Sequence, residues 1–167
     1  MHKLTRLLAH LLRVQRVATL GTLDAHGMPQ LSLVPYALDA ADPALVIHVS
    51  ALAAHTGAMN RQPVTALMVH ESEPAEGPVH ALHRVSLVTR ATLLAPSDPD
   101  VPRLRGLYLQ RFPQAQPITE LGDFRFVRLR PQEARQVAGF GAARSLQAAE
   151  VVQAICLACS PGDLPDD

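Results

Sequence analysis

Tryptophan is absent from this sequence and cysteine occurs only at Cys156 and Cys159. A thioredoxin-like pair would stand just after an early strand, not near the C-terminus. A zinc site would need two more ligands, and no histidine lies nearby. "SLQAAEVVQAICLACSPG" has helix-forming composition, so the thiols fall about one turn apart on a terminal helix, as structural residues. No charge of either sign is in excess, with 15 Lys plus Arg against 15 Asp plus Glu. That balance leaves no electrostatic footprint for nucleic acid. No apolar run approaches the roughly 18 residues of a membrane span. "MHKLTRLLAHLLRV" is broken by charge and histidine, unlike the apolar centre of a signal peptide. The expectation is a cytoplasmic protein with no membrane partner.

What remains is a chain of 167 residues, 48% hydrophobic, with a mean hydropathy of +0.10. That suffices for one domain with a real core, expected over residues 1–167. Fourteen prolines point to short, punctuated elements. Leucines at 4, 7, 8, 11 and 12 predict an amphipathic opening helix over Leu4 to Val14. Strands are expected over Arg16 to Leu23 and Met28 to Leu38, around a turn in which Gly27 takes positive φ. Leu31 and Leu33 share one face of the second strand; Ser32, Val34 and Tyr36 share the other. Pro35 implies an edge or a bulge there. Further strands are read at Leu45 to Val49, Val64 to His70 and, with clear alternation, Leu82 to Leu94. A helix capped by Ser97 or Asp98 buries Val101, Leu104, Tyr108 and Phe112. Phe124 to Leu129 and Glu133 to Ala138 read as two strands joined across Pro131. A C-terminal helix is expected over about 145–159, after "GFG". Hairpin links between so many β segments suggest an antiparallel barrel with helices at its ends. There is no Gly-rich phosphate loop and no strand–helix–strand alternation.

The link "SALAAHTGAMNRQP", Ser50 to Pro63, is longer than the roughly five residues typical between strands. It places Ser50, His55, Thr56 and Asn60 at near-helical spacing. A helical turn over Ala53 to Asn60 would leave its first N–H groups without internal partners, directed to the end of the third strand. Its dipole favours an anion, and Ser50, His55 and Thr56 add donors. A phosphate cradle and an ordinary capped connector both fit this spacing.

Taken in order, "VATLGTLDAHGMPQLSLVPYAL", "LVIHVSALAAHTGAMNRQP", "HRVSLVTRATLL" and "LGDFRFVRLRPQEARQVAGFGAARSL" resemble the pyridoxamine 5′-phosphate oxidase-like flavin-binding split barrels. They are most similar to the haem-utilisation branch of that superfamily. The resemblance covers roughly Val14 to Leu146, the core at about 14–146. It implies a mainly β, six-stranded antiparallel Greek-key split barrel and a homodimer with FMN at the subunit interface. The family's flavin contacts fall on Ser32, Leu33 and Val34, on Val49 and Ser50, and on His55 and Thr56 at the phosphate. Arg84 opens the fifth strand and would reach the flavin of the neighbouring subunit. A flavoprotein oxidoreductase acting on an unidentified small molecule is the activity so implied. A non-catalytic flavin-binding dimer and a haem-binding or haem-degrading protein are the alternatives.

Two departures bear on that choice. Haem-degrading members carry a histidine after the glycine-rich tail, whereas this sequence has none after His83. A His-ligated haem site is therefore not expected, since imidazole is the usual way to hold haem iron. The basic cluster needed by a pyridoxal-phosphate-type substrate is also missing. No carboxylate pair, Ser–His–Asp set or metal-ligand cluster names a catalytic residue. His80 and His83 would point to opposite faces of a strand, and His48 reads as a partnered core histidine.

Overall fold

Alternation of apolar and polar residues produces most of the strands, and a computed structural model describes the chain over residues 3–160. Helix α1 (Lys3–Val14) leads into β1 (Val17–Leu23) and β2 (Pro29–Pro35), paired antiparallel from Val17–Pro35 to Leu23–Pro29. Their turn is built as the sequence implies. The Asp24 carboxylate accepts the N–H groups of His26 and Met28, and Gly27 sits at φ +77°. A Cβ there would strain the left-handed backbone.

Next come β3 (Ala37–Asp39), β4 (Ala44–Ser50), α2 (Ala54–Arg61), β5 (Val64–His70) and β6 (Arg84–Leu93). They are followed by α3 (Val101–Arg111), the short α4 (Gln116–Thr119), β7 (Phe124–Val137), β8 (Ala143–Gln147) and α5 (Ala148–Cys159). The eight strands form one sheet in the order β2–β1–β5–β6–β7–β4–β3, with β8 alongside the far half of β7. The sheet curls strongly into a split half-barrel. Inside lie Leu20, Val34, Ile47, Leu67, Leu87 and Leu129, covered by α1 and α5 through residues such as Leu8, Leu12 and Ile155. Helix α3 packs on the outer face of β3, β4 and β7, where Ala37, Val46, Leu104, Tyr108, Phe112 and Phe126 form a second core.

Several sequence expectations are corrected. The strand expected over Met28 to Leu38 is two, because Tyr36 turns its N–H to Arg16 and its hydroxyl to the Leu12 carbonyl. Pro35 is the last residue of β2, a sheet edge, where a missing N–H costs no ladder bond. The two strands expected around Pro131 are one, β7. Thr89 pairs with Pro131 and Val88 with Glu133, so Gln132 bulges out and bends the strand. The segment before the last helix is a strand rather than helix. Gly139 (φ +115°) and Gly141 (φ +72°) reverse the chain, and β8 pairs with β7 from Val137–Ala143 to Glu133–Gln147. The sheet thus has eight strands where six were expected. Asp100, not Ser97 or Asp98, is the N-cap residue of α3, and the Asp98 carboxylate instead accepts the Asp100 N–H. His80 lies in a short helical turn, Val79–Ala81, and β6 begins only at Arg84, so the two-faced strand expected for His80 and His83 does not exist.

Candidate functional site

The start of α2 is where the expected site residues converge. Three residues link β4 to the helix, and the Ala53 carbonyl accepts both the Thr56 and Gly57 N–H groups. That closes the first turn and leaves the N–H groups of Ala54 and His55 without intrahelical acceptors. Ser32 Oγ, on β2, lies 3.1 Å from His55 Nδ1. This contact joins a strand edge to a helix 23 residues later in the chain. Burial pushes the His55 imidazole below the ordinary histidine range, so the ring is neutral near pH 7. Its Nε2 is buried with no protein partner.

A second pair sits beside the first. Thr56 is 1% exposed and donates its hydroxyl to the Ser50 carbonyl at 2.7 Å. Ser50 Oγ accepts the Leu52 N–H and donates to Asp123 Oδ2 at 2.9 Å. The Ala51 N–H donates to the Asp123 carbonyl. Asp123, just before β7, therefore holds the Ser50 corner in place. Val34 and Val49 are buried in the inner core. The Leu33 side chain points the opposite way and is 71% exposed.

Arg84 joins neither pair. It lies three strands from β2 and donates to the carbonyls of Leu82 at 3.0 Å and His80 at 3.4 Å. Strand register puts it on the outer face of the sheet, the face that carries Leu33. On that face Leu33 pairs with Thr19, Thr19 with Met68 and Met68 with Ser86, while Leu31 pairs with Gly21 and Gly21 with Ala66. Leu31 (75%), Met68 (40%) and Val64 (44%) are exposed there as well. A groove of about 360 Å³ runs along it, lined by Leu23, Leu31, Val64, Ala66 and Val88, with Gly21 at its floor.

Two features of this face escape a reading based on polar spacing. The apolar strip itself was legible in β5, "VTALMVH", where Val64, Ala66 and Met68 alternate with a second apolar set. The other feature is His70, which pairs with Arg84 at the end of the strip. Its Nδ1 lies 2.7 Å from the Glu71 carbonyl oxygen. A carbonyl only accepts, so Nδ1 donates to it, which leaves Nε2 as the ring nitrogen available to a ligand.

His48 is half-buried in a nest of rings, with centroids 4.4 Å from Phe126 and 5.1 Å from Phe124. Burial, aided by Arg105, pushes it down to about 4. Among the described residues no group of three His, Cys, Asp or Glu side chains could hold a metal ion. No helix among them is long and apolar enough to cross a membrane.

Comparison with known proteins gives consistent results. A family profile described as pyridoxamine 5′-phosphate oxidase matches residues 4–138. A curated relative from Arabidopsis thaliana, the chloroplastic non-canonical heme oxygenase HOZ, is 33% identical over 118 residues, covering 70% of this chain and 34% of that protein. The chain thus spans about a third of that relative's length. A solved heme-binding protein from Mycobacterium smegmatis is 28% identical with a TM-score of 0.74, covering 87% of this chain and 60% of that one. Campylobacter jejuni ChuZ is 20% identical with a TM-score of 0.79, covering 88% and 60%, a likeness of fold.

Proposed function

Since this chain belongs to the pyridoxamine 5′-phosphate oxidase family, we propose that it is a haem-binding member, with the ring held against the outer β2–β1–β5 strip between two copies of the chain. The observation that carries this reading is the strip's chemistry. A porphyrin is a flat apolar disc with carboxylates on one edge and iron at its centre. Leu31, Leu33, Met68 and the groove above Gly21 form an apolar wall of the same character. At its end stand a cation, Arg84, and a histidine, His70, on adjacent strands. Arg84 would hold a propionate. His70 would offer iron its Nε2 while Nδ1–H stays on the Glu71 carbonyl, the arrangement that orients metal-bound histidines generally. On this reading a strand histidine would serve iron where the tail offers none, which is the alternative to the expectation that no His-ligated haem site exists. The same exposed apolar strip supports a homodimer, since a face of this kind is characteristic of a protein interface. Two half-grooves facing each other would enclose a ligand that one open groove cannot. Names of relatives support haem as the ligand class. Bound haem would supply redox or ligand-binding chemistry through its iron. The protein groups in reach bind and orient; none is placed as an acid or base.

FMN is the second reading. What favours it is the donor-rich start of α2 with the unpartnered Nε2 of His55, an atom a ligand's polar edge could satisfy. The Thr56 hydroxyl, already donated to Ser50, would have to turn to reach a phosphate.

Titration of the purified protein with ferric haem and, separately, with FMN divides the two. On the haem reading a Soret band saturates stoichiometrically. Gly21→Val then weakens haem at least about tenfold by filling the groove floor. A Cβ there meets Ala66 at 3.5 Å and Leu31 at 3.7 Å, ordinary contact distances, and an unchanged far-ultraviolet circular dichroism spectrum should accompany the loss. On the FMN reading flavin fluorescence is quenched stoichiometrically. His55→Ala/Thr56→Ala then costs FMN at least about tenfold while riboflavin loses little, since each bond to a charged group contributes roughly 1.5–3 kcal/mol. Failure of haem to bind, or equal binding by Gly21→Val, would reject the haem reading.

A further inference from the structure

A cleft of about 480 Å³ opens on the other side of the molecule, between β3, α3 and the C-terminal ends of α1 and α5. It is independent of the haem reading. Its volume lies within the range of small-ligand sites. Leu38, Leu107 and Ala158 contribute apolar wall, and Arg13, Arg111 and Cys159 contribute polar atoms. One carboxylate lines it, that of Asp39, and it is fully committed. Arg103 donates to both its oxygens at 2.9 and 2.6 Å, and the N–H groups of Ala41 and Asp42 donate to Oδ1. Arg103 is also bonded to Asp100 and has no charge to spare.

The two remaining arginines are in a different state. Arg111 uses one nitrogen, Nη2, to reach the Arg13 and Gln15 carbonyls at the end of α1. Its Nε is buried with no partner. No carboxylate among the described residues pairs with it. Its ring neighbours Tyr36 and Phe112 and the Cys159 thiol are neutral; burial pushes both Tyr36 and Cys159 up. The Arg13 guanidinium has no hydrogen bond or ion pair to any described residue. A buried guanidinium N–H without an acceptor is costly, and an incoming oxyanion would remove that cost.

We infer that this cleft binds a small amphipathic carboxylate, its head at Arg13 and Arg111 and its apolar body along Leu38, Leu107 and Ala158. The carboxylate would accept from Arg111 on the buried Nε side and from Arg13 at the mouth. The thiol of Cys159, on the wall, would be covered by the bound body.

Hexanoate is the probe, with 1-hexanol as the uncharged control of equal chain length, tested by isothermal titration calorimetry on the full chain. Hexanoate should bind once per chain and 1-hexanol at least about tenfold more weakly, the effect of losing a charge-assisted bond. Arg13→Gln, which removes a side chain with no protein partner, should keep the wild-type melting temperature and weaken hexanoate by about threefold or more. Leu107→Glu should abolish binding by placing a negative charge in the cleft. Saturating hexanoate should slow iodoacetamide alkylation of Cys159, read by peptide mass spectrometry, and leave Cys156 unchanged. Equal affinity for hexanoate and hexanol, no heat at about 10 mM hexanoate, or an unprotected Cys159 would each overturn the inference.

Discussion

The outer face of the curled sheet has two halves that belong to one sheet and meet opposite fates. Over β3, β4 and β7 it is covered by α3, which buries Leu104, Tyr108 and Phe112 against Val46 and Phe126. Charge closes that junction. Arg128, 8% exposed, pairs with Asp42 and Asp100, and Asp42 also pairs with Arg130. Over β2, β1 and β5 no element among the described residues covers the face, and Leu31, Leu33, Val64 and Met68 stand in the open. A long exposed sheet edge with apolar residues would ordinarily invite aggregation. Chemistry distinguishes the halves. In the covered half Arg103, Arg128 and Arg130 pair with Asp39, Asp42 and Asp100 beside an aromatic core, so its contacts close within one chain. The bare half has exposed apolar residues ending at Arg84 and His70, with no helix over them among the described residues, and it is the half for which a partner copy and a ligand are proposed.

The largest expected effect follows from that contrast. Leu31→Glu should leave the chain folded, since the side chain is 75% exposed, yet break association and haem binding together. Sedimentation velocity at micromolar concentration should show wild type as a dimer and the variant as a monomer. A wild-type monomer would leave the strip without the partner copy proposed for it.

Next in size is the covered half. Asp42→Asn/Asp100→Asn leaves Arg128 nearly buried with neither carboxylate, and breaking such a pair costs about 3–5 kcal/mol. Arg128→Met should cost far less. It removes the charge that needs compensation, while Asp42 keeps Arg130 and Asp100 keeps Arg103. Urea unfolding midpoints should therefore fall much further in the double acidic variant than in Arg128→Met. If the two fall equally, the clamp contributes shape rather than charge.

The two halves also differ in how far they could be read beforehand. The stripe Leu104, Tyr108 and Phe112 was legible because a 3.6-residue period needs no partner to be recognised. The inner and outer faces of β2 and β6 were legible for the same reason at period two. Where reading failed, long-range pairing decided. β8 exists because β7 offers it an edge, and its own residues bury only Leu146. A signal was present in Gln147 followed by Glu150, a reciprocal capping box that starts α5. Helix-forming composition on both sides masked it. For the site, spacing brought Ser32, Ser50, His55 and Thr56 into one region. It could not indicate that Thr56 turns inward or that Asp123 pins Ser50. His70 drew no notice because a histidine at a strand end has no motif. Only the register that pairs it with Arg84 makes it noteworthy.

The smallest effect expected tests how dry the covered half is. His48 sits under α3 among Phe124, Phe126 and Tyr108, and burial is the main reason its ring resists a proton down to about 4. In the unfolded chain a histidine accepts that proton near its ordinary value of about 6.5. Above that pH the ring is neutral in both states and contributes nothing to pH dependence. As pH falls from about 6.5 toward 4 the unfolded chain binds a proton that the folded one refuses, so stability declines through this window. His55 and His83 are lowered by burial too and contribute to the same limb. His48→Phe keeps an aromatic ring in the nest and removes one of the three titrations. The drop in melting temperature between about pH 7.5 and pH 5 should therefore shrink in the variant without vanishing. Parallel acid limbs for wild type and variant would mean that water reaches His48 and that α3 covers its half of the sheet less tightly than its buried aromatic rings imply.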